Sequence, residues 1–391
     1  MFSFGSQSAI LCGAIIDIGS GSVGAAIVTL DTVTNQSTIV WSHREFTLLR
    51  TSTTLADAER AVKTAFVNVF LELGNAGLKA LHEHNKDLQV QNVQISLAAP
   101  WQYTASKVVI FSDEKEFVVD NELLRDLSKK ANEQGEAEAN NSELLKEFGL
   151  TLISQETIGT MINGYAITDI LKKRANELSF VQISMLGDKG MIEAIKETQE
   201  KLLPKADLSI TSFIFMFYSV VIRLYPHTLE AAVVDITKEA TELGIIRDGA
   251  LRFVSHIPVG SFTLARAIAE QLSIPPEEAF TYLKTNTDYG IASIPEKHKA
   301  IVEQVFGAYD DELKTLFKNT HDELSIPRSI FIHTELHTEL FFNHTIKRAA
   351  TELTDTEHTI HPVTSKLFSE SHTGDTSILL GIRHWLDAQS T

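Results

Sequence analysis

Residues 15–28 read IIDIGSGSVGAAIV, and this stretch decides the fold prediction. Two apolar runs flank a Gly- and Ser-rich turn that follows Asp17, which predicts a hairpin of two short strands. Gly19 and Gly21 would let the backbone adopt positive φ and approach a ligand closely. Successive N–H groups in such a turn form an anion-binding nest. The stretch therefore predicts a hairpin that can face a phosphate group.

The side chains of the turn extend that prediction. Ser20 and Ser22 would add hydroxyl donors to the nest. Asp17, at the end of its strand, is placed to hold Mg²⁺ through water, because Mg²⁺ keeps much of its hydration shell. Hairpins of this composition are nevertheless more often plain turns than phosphate sites, so the prediction needs support from the rest of the chain.

Composition bounds the class of protein. The chain has 391 residues, enough for about two to three domains with a large core. Apolar residues make up 43%, which excludes a disordered protein. Lys and Arg total 34 against 51 Asp and Glu, a formal charge of -17. This acidic balance argues against nucleic-acid binding and against electrostatic docking on an anionic membrane.

Cysteine content and hydropathy indicate a cytoplasmic protein. Cys12 is the single cysteine, which excludes a disulfide framework, and we interpret it as a packing residue rather than a nucleophile. The opening MFSFGSQSAIL lacks the basic region and apolar run of a signal peptide. The most apolar long window, residues 208–225, is short for a membrane span, so we predict a buried core helix there.

The remaining pattern predicts a repeated α/β plan. A helix is expected over residues 55–84 and a buried strand over 90–98, followed by a compact α+β insert. A strand at 180–186 is expected to return the chain to the first lobe. The second half repeats the opening hairpin, with strands predicted at 229–235, 241–247 and 251–257 and helices at 261–272 and 276–283.

The order of these elements resembles the actin-like superfamily, which includes actin, Hsp70-type chaperones and sugar kinases. Within it the chain is most similar to the PilM/FtsA family, and to its PilM branch, over nearly its whole length. The segments that carry the resemblance are MFSFG with DIGSGSV, Asn163-Gly164-Tyr165, Leu171-Lys172-Lys173-Arg174, Asp248-Gly249, Ile257-Pro258-Val259-Gly260, Glu277-Glu278-Ala279 to Lys284, and DTSILLGIRHW from Asp375 to Trp385.

The resemblance implies an α/β, actin-like two-lobed fold of duplicated ribonuclease H-like halves, with a small α+β subdomain inserted in the first lobe. The expected boundaries are 10–99 and 180–203 for the first lobe, 100–179 for the inserted subdomain, 204–260 and 329–391 for the second lobe, and 261–328 for its helical subdomain.

The resemblance also implies a cleft that binds ATP with Mg²⁺. Asp17 and Asp235 are the expected metal ligands, and no residue is expected to be catalytic. The expected cofactor-binding residues are Asp17, Gly19, Ser20, Gly21, Ser22, Asp235, Thr237, Lys238, Gly260, Ser261 and Lys284.

The second phosphate loop departs from the family pattern, which is Asp-x-Gly followed by small residues. Thr237 stands where Gly is expected, and forcing it to positive φ would cost about 1–2 kcal/mol. A phosphate about 6 Å from Glu239 would be repelled by about 3 kcal/mol at an effective dielectric near 20, or roughly a hundredfold in affinity. Lys238 or Mg²⁺ could offset this repulsion, or Glu239 could point to solvent.

The nucleoside side departs further. A Gly-Gly pair is expected after a late strand, but the strand at 329–332 is followed by His333-Thr334-Glu335-Leu336. Thr281 stands three residues before Lys284, where the family has an acidic residue. Side chains at these positions would narrow or remodel the nucleoside pocket.

The resemblance implies a cytoplasmic scaffold of a type IV pilus or related secretion machine. It would bind the cytoplasmic tail of a single-span inner-membrane protein and other components of the machine, and that partner would recruit it to the inner membrane. No nucleic-acid partner is expected. No direct membrane insertion is expected either, since no FtsA-type amphipathic helix follows Trp385. Homo-oligomerisation is left open.

Several functions stay open at this point. One is a scaffold that responds to ATP and hydrolyses it weakly or not at all. A second is a pseudo-ATPase interaction module, and a third is an FtsA-like cell-division protein. A sugar-kinase-like phosphotransferase is disfavoured, because no distinct carboxylate is available as a base for a substrate hydroxyl.

For the other notable residues we prefer structural interpretations. Trp101 is predicted to be a core aromatic rather than the lining of a peptide groove. The acidic stretch 133–147 is predicted to be a solvated face. No pattern supports a Ser-His-Asp triad. Polar surface or cap positions, rather than a metal site, are predicted for His333, His337, His344, His358 and His361.

Overall fold

The computed structural model describes residues 10–34, 36–50, 54–141, 149–167, 169–284, 294–320, 325–334, 338–368 and 374–389. The segment MFSFG therefore lies outside the described residues. The strands are β1 (Ile10–Ile18), β2 (Ser22–Asp31), β3 (Gln36–Phe46), β4 (Asn92–Leu97), β5 (Gln102–Val118), β6 (Leu150–Ile162), β7 (Tyr165–Ala166), β8 (Arg174–Asp188), β9 (Asp207–Ser212), β10 (Ala231–Ile236), β11 (Thr241–Arg247), β12 (Ala250–Ile257), β13 (Ser329–Thr334) and β14 (Thr359–Pro362). The α-helices are α1 (Leu55–Glu72), α2 (Leu78–His84), α3 (Asn121–Asn141), α4 (Lys189–Leu202), α5 (Phe213–Leu224), α6 (Ser261–Leu272), α7 (Pro276–Lys284), α8 (Glu296–Lys318), α9 (Glu339–Thr354) and α10 (Thr376–Gln389).

Two five-stranded sheets of the same topology form the two lobes. The first sheet has the order β3-β2-β1-β4-β9 and the second has the order β12-β11-β10-β13-β14. In each sheet an antiparallel hairpin is extended by parallel strands, so β1 and β10 occupy equivalent central positions. Buried apolar clusters cover both faces of each central strand. The predicted duplicated, two-lobed α/β fold is therefore confirmed.

A four-stranded sheet of order β5-β8-β6-β7 forms the inserted subdomain. α3 packs against this sheet through leucines that contact Leu178 and Phe180 of β8. Glu133 and Glu136 on α3 are exposed, as predicted, while residues 142–147 of the acidic stretch lie outside the described residues. The α+β insert expected within the first lobe is confirmed.

The structure differs from the expected organisation in four places, three of which follow here and the fourth, α10, below. Residues 180–186 belong to β8 and pair with β5 and β6 of the inserted sheet, not with the first lobe. β9, expected in the second lobe, pairs with β4 in the first sheet. Residues 208–225 contain the end of β9 and then α5, rather than a single helix. A local apolar pattern predicts burial but not the sheet in which a strand pairs, and the other boundaries remain predictions.

Local signals explain where two of the helices begin. Thr54 and Asp57 form a capping box at α1, and a π-helical turn, Leu73–Gly77, joins α1 to α2, so the helix predicted over 55–84 is confirmed. Ser212 caps α5 by accepting the N–H of Phe215 at 3.2 Å. Among the described residues, no helix is both long and apolar enough to cross a membrane.

α10 leaves the second lobe and packs on the first sheet, although residues 329–391 were expected to belong to the second lobe. The apolar face of α10 contacts Ile15 and its neighbours in β1 and β2. Gln94 in β4 donates its Nε2 to the carbonyl of Gly381 at 2.9 Å. The indole of Trp385 lies against Gly13. α10 therefore supplies one of the two apolar layers of the first lobe.

This packing predicts opposite effects for two helical glycines. A Cβ at Gly381 would lie 2.5 Å from Cγ2 of Ile15, whereas a Cβ at Gly307, on α8, has no neighbour within 4 Å. We expect Gly381→Ala to lower the free energy of unfolding by about 1–3 kcal/mol through overpacking. Gly307→Ala should raise it by about 0.5–1 kcal/mol through helix propensity. Urea denaturation measures both, and equal effects would contradict the docking of α10.

Candidate functional site

The turns of the two equivalent hairpins meet at the interface of the lobes. The β1–β2 turn presents Ser20 and Gly21, and the β10–β11 turn presents Lys238 and Glu239. The backbone N–H of Glu239 donates to Oγ of Ser20 at 2.8 Å, and the ammonium of Lys238 donates to the carbonyl of Gly21. Both predicted phosphate loops are therefore present, and each contacts the other directly.

Lys238 packs on the turn of the first hairpin. Its side chain is completely buried, and its Nζ lies 4.7 Å and 4.9 Å from the ring centres of Phe46 and Phe262. A methyl group at Gly21 would overlap the Lys238 side chain, so glycine is required there by close approach. Neither Gly19 nor Gly21 is among the residues with positive φ, which corrects the conformational reason that we expected for them.

Arg44, on β3, pairs with Asp17, where Mg²⁺ was expected. Its Nη2 pairs with Oδ2 of Asp17 at 2.8 Å, and its Nη1 donates to Oγ of Ser22 at 2.7 Å. Its Nε pairs with Asp375, just before α10. Burial raises the pKa of Asp375, but the guanidinium outweighs it and the pKa is lowered overall. Two carboxylates and a hydroxyl thus surround one fixed cation.

Asp235 holds the equivalent position in the second lobe and is paired with His333, from β13. The distance from Asp235 Oδ1 to His333 Nδ1 is 2.7 Å, and both side chains are buried. Burial raises the pKa of Asp235, His333 opposes this shift and the charge of Asp17 adds to it. Among the described residues, Oδ2 of Asp235 has no hydrogen-bond partner. The surface or cap position predicted for His333 is wrong, because the strand pattern did not show that its partner is a buried carboxylate.

The same histidine completes a Ser-His-Asp chain that the sequence did not indicate. His333 Nε2 lies 3.2 Å from Oγ of Ser377, the second residue of α10. The distances match those of a nucleophile and its base. However, Ser377 is only 3% exposed, and its N–H already binds Asp375, as does the next one in the helix. We interpret the chain as a structural tie between α10 and the second sheet.

Thr237 and Glu239, the two residues of the second loop that depart from the family pattern, do not have the effects that the sequence predicted. Thr237 does not have positive φ, so it adds no backbone strain, and its Oγ1 bonds the carbonyl of Ala99 at 3.2 Å. Glu239 is neutralised by Arg266 and accepts a hydrogen bond from Thr263 at 3.2 Å. Of the three alternatives considered for Glu239, exposure to solvent is wrong, because Arg266 on α6 pairs with it; compensation by Lys238 or by Mg²⁺ stays a prediction.

The N-terminus of α6 is also occupied. Gly260 is the N-cap, and the N–H of Ser261 donates to the carbonyl of Thr237 at 3.1 Å. The next N–H of the helix donates to the carbonyl of Lys238 at 2.8 Å. These are groups that would otherwise bind a phosphate. Lys284 lies at the end of α7 with its Nζ 4.9 Å from the centre of the Phe280 ring, and no described contact brings it to the hairpins.

The described residues do not fit ATP with Mg²⁺. The Lys238 side chain packs on the first turn, the α6 N–H groups bind carbonyls, and Asp17 and Asp235, the expected metal ligands, are each paired with a basic side chain. A cavity of about 240 Å³ remains beside the hairpins, between α1 and α6. That volume is below the roughly 300–1,000 Å³ of small-molecule sites. Glu335 and Leu336, which stand where Gly-Gly was expected, lie outside the described residues.

Glu242 and Gln102 form a further buried contact between the lobes that the sequence did not indicate. Gln102 Nε2 donates to the two carboxyl oxygens of Glu242 at 2.8 Å and 3.0 Å. Burial and the negative charge of Asp235 raise the pKa of Glu242 to about 8, against hydrogen bonds from Gln102 and the Ala99 backbone. Glu242 is therefore protonated at neutral pH.

The other residues considered in the sequence have structural roles. Trp101 is fully buried and donates its Nε1 to the carbonyl of Gly19 at 3.0 Å, which confirms it as a core aromatic. Burial raises the pKa of the Cys12 thiol to about 12, which fits a packing role. His358 is buried rather than on the surface and contacts the carbonyl of Pro327 at 2.9 Å. His337 lies outside the described residues. Among the residues that are described, no group of three or more His, Cys, Asp or Glu could hold a metal ion.

With this geometry established, the chain can be compared with known proteins. A solved PilM–PilN type IV pilus biogenesis complex matches with a TM-score of 0.61 and 12% identity, over 95% of this chain and 97% of that one. The chain has the actin-like fold. The fold predicted from the sequence resemblance is therefore confirmed, and PilM is among the structures that share it.

Other structural matches are weaker. The ethanolamine utilization protein EutJ of Carboxydothermus hydrogenoformans matches with a TM-score of 0.43 and 10% identity, over 96% of this chain and 90% of EutJ. A Bacteroides thetaiotaomicron protein described as having an actin-like ATPase fold matches with 0.42 and 9%, over 99% of both chains. No protein-family profile and no curated protein sequence matches the chain.

The raised pKa of Glu242 predicts a pH-dependent stability. Between pH 4.5 and about 8 the folded protein keeps a proton that the unfolded chain loses, so stability falls as pH rises through this window and then levels off. Glu242→Gln should remove this slope and gain a few kcal/mol on the parent by the upper end of the window. Urea denaturation across the window measures the effect. Glu303→Gln, on an exposed position of α8, is the control, and parallel curves for parent and Glu242→Gln would contradict the assignment.

Proposed function

We propose that this protein is a non-catalytic, actin-like scaffold: a pseudo-ATPase that acts through protein contacts. The observation that carries the proposal is the buried Lys238 side chain, which packs on Gly21 and occupies the space over the first turn that a phosphate would need. Arg44 supports it, because it satisfies Asp17 and Asp375 with one internal cation in place of Mg²⁺. The buried Ser377–His333–Asp235 chain offers no accessible nucleophile.

We further propose a role in a type IV pilus or related secretion machine. The supporting observation is the full-length similarity of fold to PilM in the PilM–PilN complex. By this analogy the partner is the cytoplasmic tail of a single-span inner-membrane protein, which recruits the scaffold from the cytoplasm to the inner membrane. Other machine components would dock on the same scaffold.

A second candidate is a scaffold that responds to ATP. One observation favours it: both strand-end aspartates, Asp17 and Asp235, are retained, and Oδ2 of Asp235 has no partner among the described residues. Binding would require Lys238 to leave the first hairpin and Arg44 to leave Asp17. The two candidates therefore differ in whether nucleotide displaces these cations.

A titration separates them. We expect a fluorescent ATP analogue with Mg²⁺ to show no saturable binding up to millimolar concentration, because Lys238 and the Thr237 and Lys238 carbonyls already fill the phosphate contacts. Saturable binding that Asp17→Ala abolishes and Glu239→Ala leaves intact would favour the ATP-responsive scaffold, with the phosphates on the first loop.

The partner role is tested separately. Immobilised peptides that cover the short cytoplasmic tails of candidate single-span inner-membrane proteins should retain the purified protein, and scrambled peptides of the same composition should not. Retention should be independent of added nucleotide, because the interaction does not use the cleft. Failure with every candidate tail would count against the pilus-type role and leave the pseudo-ATPase proposal standing.

A further inference from the structure

Six consecutive residues of the second lobe, 237–242, cross the interface at four points. Oγ1 of Thr237 donates to the carbonyl of Ala99 at 3.2 Å, and Lys238 donates to the carbonyl of Gly21. The N–H of Glu239 donates to Oγ of Ser20 at 2.8 Å. Glu242 accepts from Gln102, the first residue of β5 in the inserted subdomain, at 2.8 Å. We call residues 237–242 the staple segment.

Lys238 is the most demanding of these contacts. A buried ammonium needs compensation for the water that it has lost. Two of its described contacts lie across the interface, the carbonyl of Gly21 in the β1–β2 turn and the ring of Phe46 at the end of β3, while Phe262 lies in its own lobe. Separation of the lobes would therefore remove the carbonyl and one of the two rings at once.

The staple segment is also fixed within the second lobe. Glu239 is held by Arg266 and Thr263 on α6, and the carbonyls of Thr237 and Lys238 accept the first N–H groups of that helix. The segment is therefore a rigid extension of α6 rather than a loose loop. A segment that is anchored on α6 and also bonded to the first lobe at four points keeps the two lobes together.

We propose that the staple segment, through Lys238, holds the two lobes closed permanently and thereby replaces nucleotide as the ligand that joins them. This inference rests on the proposed pseudo-ATPase function. It adds that closure is a built-in property of the chain, so that partners meet one fixed relative orientation of the lobes.

The test measures the distance between the lobes. Cysteines introduced at Glu72 on α1 and Glu303 on α8, both exposed, carry nitroxide labels, and Cys12 stays unlabelled because it is completely buried. Pulsed electron spin resonance then gives the interlobe distance distribution. The parent should give one narrow distribution. Lys238→Met keeps the length of the side chain but loses the ammonium, and it should add a second population at longer distance.

Lys314→Met is the matched control. Lys314 pairs with Asp310 and Glu352, both in the second lobe, so its loss removes ion pairs without touching the interface. It should leave the distribution narrow. If Lys238→Met does not fold, Ser20→Ala removes only the acceptor of the Glu239 N–H and should broaden the distribution. An unchanged distribution in whichever variant folds, or the same broadening in Lys314→Met, would overturn the staple.

Addition of ATP with Mg²⁺ to the labelled parent keeps the two proposals distinguishable. No change in the parent, together with opening in Lys238→Met, supports both. A nucleotide-dependent shift in the parent refutes the pseudo-ATPase function, whatever the variant does. If nucleotide does not change the distance distribution of the parent and Lys238→Met also stays closed, the proposal for the staple segment is refuted and the pseudo-ATPase proposal is not.

Discussion

The burial of one lysine ammonium between two turns is the contact on which the placement of the lobes depends. Lys238 brings a positive charge into a region that also contains Asp17, Asp235 and Glu242. Four ionisable groups in so small a volume are stable together only because each has a defined partner or holds a proton. The protein thereby neutralises with its own side chains the centre where the sequence predicted an anion and a metal.

The neutralisation follows the internal symmetry of the fold. In each lobe the central strand ends in an aspartate, and in each a basic side chain from the same sheet meets it: Arg44 for Asp17 and His333 for Asp235. Both bases then contact the start of α10, through Asp375 and Ser377 respectively. The N-terminus of α10 therefore connects the two halves of the duplicated site. A shift of either aspartate would disturb the contacts of the same helical turn.

Local pattern in the sequence predicted individual hairpins and helices, and the resemblance of their order to a known superfamily predicted the fold. The hairpin at residues 15–28, its repeat at 229–247 and the α1 periodicity all depend on neighbours within a few positions, where composition and spacing carry the information. The side chains that pair with the two aspartates of the site could not be predicted in this way. Arg44 is 27 positions from Asp17, and His333 is 98 positions from Asp235, and no local pattern marks either as its partner. The sequence predicted that Glu239 would repel a phosphate but could not show that Arg266 neutralises it.

The crossing of α10 has a consequence for how the chain is made. One apolar face of the first sheet, including Ile15, is covered by residues from 376 onward. During synthesis this face stays exposed to water while the entire second lobe emerges from the ribosome. The first lobe therefore cannot complete its core until the second lobe has been synthesised, and the folding of the two lobes is coupled. The two lobes have the same topology, but the first lobe cannot finish folding without a helix that follows the second.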